Sequence, residues 1–491
     1  MCAATRLLRL LPHPLLLAAA LGCAGDPPYD VVLANGRVMD PATGMDSLLH
    51  VGIRGDSIAA LSAAPLEGRD VVDVAGLVVA PGFIDLHAHG LTRGDMEIQA
   101  EDGVTTALDM EAGAFPVQGW YASMEGKVPL NFGVTVGHRP ARTYVFHDSL
   151  EVFHGPVNTS PVLKLGPVPA GANAPATEAQ LTAIEGAIRR GLDEGALGVG
   201  FGINYSPGAT TQEIERMFRV AAQQQATVFV HTRAFGIGAI REAVAAARAA
   251  QASLHLVHIA SSSLRDLPEA LALVDSARAA GMDVTTEAYP YTAGSTRLES
   301  AMFNPGWQKN LPVDYGDLAW PLTGERLTRE TFDRYRTQGG WVVIHMMTEE
   351  NVATAIAHPG VMIASDGVPY VNGTGHPRGA GTYARVLGRY VREQRALPLM
   401  DALARMTILP AQRLERIAPV MRRKGRVSVG AHADLAVFDP ATVIDHSTFD
   451  APAARSSGMV HVLVNGTFVV RGDSLVAGAL PGRAVKSGVA K

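Results

Sequence analysis

Apolar residues in the middle of the chain change their spacing in a regular alternation, and that alternation predicts a fold. After the capping box Thr177-Glu-Ala-Gln180, Leu181, Ile184, Ile188 and Leu192 fall on one helical face, and Gly195 offers a stop. Residues 196–200 then read as a buried strand. Thr210-Thr-Gln-Glu213 opens a second helix carrying Ile214, Met217, Phe218 and Ala221, and strand 227–230 follows. Helix 236–250 and strand 253–257 repeat the unit. Successive βα units of this length predict an α/β fold, a TIM-type (β/α)8 barrel over residues 81–424. A doubly wound open sheet is the alternative, but no Gly-rich phosphate fingerprint follows an early strand.

Both ends of the chain carry a different pattern. Short runs at 31–33, 48–53, 57–61, 71–73 and 77–79 are separated by turn clusters such as Asn35-Gly36 and Arg54-Gly55-Asp56. Similar runs return at 433–438, 460–464 and 467–470, with Asn465-Gly466 as a hairpin turn. Residues 27–80 and 425–480 are therefore expected to build one small β-sandwich domain, with the barrel inserted between them.

The first 23 residues form a targeting segment. Arg6 and Arg9 precede an apolar run from Leu10 to Leu21 that is too short to span a bilayer with anything to spare. It ends in Ala20-Leu-Gly-Cys23, which resembles the lipobox of bacterial lipoproteins, with a plain secretory signal as the alternative. The expectation is export, either to the periplasm or to a membrane through a lipid on Cys23. The formal charge of −5 and the lack of a basic stripe argue against nucleic acid as a partner. Cys2 and Cys23 are the only cysteines, so a metal site in the mature chain must use histidines and carboxylates.

Candidate ligands sit where such a barrel places its chemistry. In Ala80-Pro-Gly-Phe-Ile-Asp-Leu-His-Ala-His89, positions i and i+2 of a strand face the same way, so His87 and His89 converge. His231 and His258 each end an apolar strand, one βα unit apart. Asp366, in Val361-Met-Ile-Ala-Ser-Asp-Gly367, ends another and is placed to move a proton between water and a leaving amine. His138 ends a strand and is a candidate for the pocket wall. His255 falls on the opposite strand face from His258, while His345 and His376 are assigned no firm role.

These stretches, with Gly103-Val-Thr-Thr106, Glu194-Gly-Ala-Leu-Gly198, Tyr289-Pro-Tyr-Thr292 and Ala433-Asp-Leu-Ala-Val-Phe-Asp-Pro440, resemble the amidohydrolase superfamily and its N-acyl-D-amino-acid deacylase (D-aminoacylase) branch. The likeness runs from Asp30 to about Gly472. It implies one or two Zn2+ ions held by His87, His89, His231 and His258, with Asp366 as the acid/base. The implied reaction is hydrolysis of a small-molecule amide bearing a free carboxylate. Two departures stand out. The branch's metal-binding cysteine is replaced by Ala112, which leaves Glu111 as first choice for an oxygen ligand, then Asp109, then a carbamylated Lys164. The branch's substrate-binding lysine is replaced by Ala260, which leaves Arg378 and Tyr289 to hold a substrate carboxylate. A cyclic amidase or an unusual-linkage dipeptidase on the same barrel, and a non-catalytic ligand-binding lipoprotein, are the rival readings.

Overall fold

The computed structural model describes residues 27–147 and 170–488. The expected targeting segment with Cys23, and Lys164, lie outside the described residues.

Strands β1 (Tyr29–Asp40), β2 (Met45–Arg54), β3 (Ser57–Ser62), β4 (Gly68–Asp73) and β5 (Val78–Pro81) open the described chain. They join three strands from the far end, β17 (Leu435–Phe438), β18 (Met459–Val464) and β19 (Thr467–Arg471), in one eight-stranded sheet that branches at β1. The sheet closes over its own apolar core, including Leu33, Val51, Ile53, Val79, Leu435 and Leu463. Asn465 and Gly466 take φ of 48° and 77°, the twist that a two-residue hairpin between β18 and β19 requires.

Between these strands lies the barrel. Its eight parallel strands are β6 (Phe83–Asp85), β7 (Val104–Ala114), β8 (Asn131–Gly137), β9 (Val199–Gly202), β10 (Thr227–His231), β11 (Ser253–Leu256), β12 (Val284–Ala288) and β16 (Val361–Ile363). They are hydrogen-bonded in the order β16-β12-β11-β10-β9-β8-β7-β6. A parallel bridge from Ala88 to Gly367 joins the first strand to the last, and the Ser365 amide donates to Asp85 at 3.0 Å across the same seam. Almost every strand residue is buried because helices cover the outside, which explains the continuous apolar runs. The helix Glu178–Asp193 starts at its capping box, with the Thr177 amide donating to Gln180 at 2.9 Å, and buries Leu181, Ile184, Ile188 and Leu192.

One module was not expected from the sequence. Between β12 and β16 the chain forms an antiparallel sheet of β13 (Ala293–Arg297), β14 (Leu318–Ala319) and β15 (Trp341–His345), ordered β13-β15-β14. It has its own core, in which Phe303, Trp307, Leu311, Trp320 and Phe332 pack together. Tyr205 and Phe235 of the barrel pack against that core, so the module stands over the barrel mouth.

Candidate metal centre

Strand parity brings the candidate ligands together. His87 and His89 leave the end of β6, Glu111 lies on β7, His231 is the last residue of β10, and His258 follows β11 by two residues. His258 and Asp366 hold left-handed backbone, with φ of 35° and 50°. For a non-glycine residue such a conformation costs about 1–3 kcal/mol, and it persists where surrounding structure imposes it. Here it turns both side chains back over the barrel axis, and it ends strand 253–257 one residue earlier than its apolar pattern predicts.

The donors form two groups that share Glu111. The first is His87, His89, Glu111 and Asp366, and the second is Glu111, His231 and His258. One Glu111 oxygen lies 2.9 Å from His87 Nε2 and 3.3 Å from His258 Nε2, and the other lies 3.5 Å from His231 Nδ1. Asp366 Oδ1 is 3.4 Å from His87 Nε2 and 3.5 Å from His89 Nε2. The facing nitrogens of His87 and His89 are 3.0 Å apart, and those of His258 and His231 are 3.1 Å apart.

This donor chemistry fits a metal. His87 Nδ1 meets Glu287 at 2.6 Å, and His89 Nδ1 lies 3.3 Å from Asp109, so each ring can keep its proton on Nδ1 and offer Nε2 to a cation. Two bare Nε2 lone pairs then face each other across 3.0 Å, an arrangement that a cation between them makes favourable. Ligands on a tetrahedral ion with bonds of about 2.0–2.1 Å sit roughly 3.3 Å apart, close to the separations seen here.

A second layer fixes the first. Glu287, buried on β12, accepts from His87 and lies 3.0 Å from His255 Nε2, whose other nitrogen meets Thr285 at 2.7 Å. Burial pushes the Glu287 carboxyl up, but His87 and His255 outweigh it and hold the pKa at about 2. Glu111 is likewise held well below the usual range, burial being overcome by His231, His258 and His87. We expect Glu287→Gln to weaken metal affinity by roughly 10- to 100-fold. Metal-buffered titration checks this, and unchanged affinity would remove Glu287 from the positioning role.

Above the donors opens a cavity of about 350 Å³, lined on one side by Trp120, Met124 and Leu91 and on the other by Trp341, Ile344 and Met346. Arg378 and Tyr289 line it too. The Arg378 guanidinium lies 2.8 Å from Asp366 Oδ2 and over the Tyr289 ring at 4.6 Å.

The pattern of the amidohydrolase family matches residues 70–135 and 158–470. The chain belongs to the amidohydrolase family. It is 32% identical to the N-acyl-D-glutamate deacylase of Alcaligenes xylosoxydans xylosoxydans, over 92% of this chain and 98% of that one. It is 33% identical to the D-aminoacylase of the same organism, over 89% of this chain and 94% of that one. Among solved structures, the N-acyl-D-glutamate deacylase of Bordetella bronchiseptica, complexed with zinc and a phosphonate mimic of the tetrahedral intermediate, superposes with a TM-score of 0.78. That pair shares 27% identity over 93% of this chain and 99% of the other. This amidohydrolase is thus a metal-dependent amide hydrolase with D-aminoacylase relatives.

The structure brings His87, His89, His231, His258, Glu111 and Asp366 of this amidohydrolase to one point, with Arg378 and Tyr289 beside it. His138 departs from expectation. It does not line the cavity; its Nε2 lies 2.8 Å from Glu213 and its ring stacks on Phe201 at 5.2 Å. Arg142 also pairs with Glu213, at 2.8 Å, so that acid absorbs both groups behind the barrel wall. Asp109 supports His89 and accepts from the Ala112 amide at 3.0 Å, rather than bridging the two donor groups. Sequence reasoning missed Glu287, the acid that buttresses His87.

Proposed function

We propose that this amidohydrolase deacylates N-acyl-D-amino acids, using two zinc ions that share Glu111. The observation that carries this reading is the Arg378–Asp366 pair, which sets a carboxylate-binding fork next to a proton carrier on the rim of the donor cluster. The D-aminoacylase and N-acyl-D-glutamate deacylase relatives support the substrate class, and the zinc-complexed neighbour supports the metal.

His87, His89 and Asp366 would hold one ion, His231 and His258 the other, and Glu111 both. When bound, zinc supplies a Lewis acid that brings the pKa of water toward about 7 and polarises the scissile carbonyl. Asp366 accepts a proton from the attacking water and delivers it to the amide nitrogen as the C–N bond breaks. Arg378 and the Tyr289 hydroxyl hold the α-carboxylate, fixing the amide over Asp366. The module carrying β13–β15 and the apolar walls exclude bulk water.

The test is a screen of the purified protein against N-acetyl-D- and N-acetyl-L-amino acids, with zinc and after chelation. The expected result is turnover of D-substrates that chelation abolishes and zinc restores. A preference for L-substrates, hydrolysis confined to cyclic amides, or activity that survives chelation would overturn the proposal.

A further inference from the structure

The cavity holds a cation that this mechanism leaves unused. Arg139 lies two residues beyond the end of β8, is half-buried, and lines the same cavity as Asp366. Arg378 is paired with Asp366, and Arg297, also in the lining, is paired with Glu299. Arg139 makes no hydrogen bond or ion pair with any described residue; its guanidinium rests over the Tyr205 ring at 5.6 Å. Tyr205 in turn packs on His231, with ring centroids 5.1 Å apart. Arg139 therefore stands one aromatic ring away from the metal centre. A guanidinium that is partly stripped of water, with Glu111 and Glu299 near enough to act on it but neither in direct contact, favours an anion delivered by the ligand.

Its position says which end of the substrate brings that anion. In the closed ring of eight strands, β8 and β12 are four places apart and so face each other across the barrel. Tyr289 follows β12, and Arg378 lies over its ring. If Tyr289 and Arg378 hold the α-carboxylate of the leaving amino acid, with the scissile carbonyl at the donor cluster between, the acyl chain runs toward Arg139. Trp120, Met124 and Pro140 line the cavity on this side, suited to a short aliphatic linker.

We infer that Arg139 recognises a terminal carboxylate on the acyl group, which makes dicarboxylic acyl chains such as succinyl the preferred acyl class. This inference rests on the N-acyl-amino-acid reading and specifies the substrate of the same site.

The test compares N-succinyl-D-alanine with N-butyryl-D-alanine, which differ by a carboxylate in place of a methyl group. In the native protein, kcat/KM is expected to favour the succinyl compound by roughly 10- to 100-fold, as for one charge-assisted hydrogen-bonded pair. In Arg139→Leu that ratio should fall to near one, and Arg139→Lys should keep part of it, which also guards against a misfolded Leu variant. Equal ratios in the native and Leu proteins would overturn the inference. So would a Leu variant that instead loses a preference for N-butyryl-D-glutamate over N-butyryl-D-alanine, because Arg139 would then read the amino-acid side chain. Turnover of N-butyryl-D-alanine with a succinyl ratio of one sinks this inference alone. Failure to hydrolyse any N-acyl amino acid sinks the reading beneath it.

Discussion

Asp366→Asn is expected to lower kcat by roughly 10³-fold while the protein keeps its metal, the scale expected when a general acid/base is lost. The amide oxygen of Asn occupies the place of Asp366 Oδ1, which lies 3.4–3.5 Å from the two Nε2 atoms of His87 and His89. Glu111 and both histidines of that donor group are untouched. What disappears is a group able to take a proton from water and release it to nitrogen. Arg378 also loses the partner 2.8 Å away and becomes freer to bind a substrate carboxylate, so KM should not rise. Steady-state kinetics beside elemental analysis decide the matter. Near-native kcat would remove Asp366 from proton transfer, and loss of metal would make it a ligand first.

Glu111→Gln should do different damage. Glu111 is the one member common to both donor groups, with one oxygen serving His87 and His258 and the other facing His231. An amide offers a single, uncharged acceptor oxygen, so it can keep the place facing His87 and His258 or the one facing His231, but not both, and it brings no charge to either group. We expect bound metal to fall by at least one equivalent per chain. The loss in kcat/KM should exceed the roughly 10- to 100-fold that removal of an outer partner costs. His258→Asn, which touches only the second group, is the matched control. Retention of two equivalents by Glu111→Gln would show that the carboxylate does not bridge.

The histidine set was legible because each member ends an apolar strand, and strand parity with barrel topology fixes where such residues point. The choice of acid was harder. Asp109 and Glu111 are two apart on β7 and share a face, so parity cannot separate them. The irregular pairing of β7 with β8 between Asp109 and Ala114 does so, because it lets Asp109 cap the local turn while the longer Glu111 reaches inward. Glu287 escaped notice inside Thr-Thr-Glu-Ala, where nothing distinguishes an acid that buttresses a ligand from one on a solvated strand. Arg139 could be read from the sequence as an ion-pair partner for a buried acid, but the start of a helix instead places it in the cavity lining, with no ion pair to Glu111. The β13–β15 module was illegible for another reason. Its strands run only two to five residues, and β13 and β14 are separated by short 3-10 turns, too short for a two- or 3.6-residue period to register.

That module has an evolutionary corollary. Among the described residues the candidate metal ligands all come from the barrel, while Trp341, Ile344 and Met346 sit on or beside a separately cored appendage. Drift in the appendage can therefore reshape what the enzyme accepts while its hydrolytic engine is inherited intact.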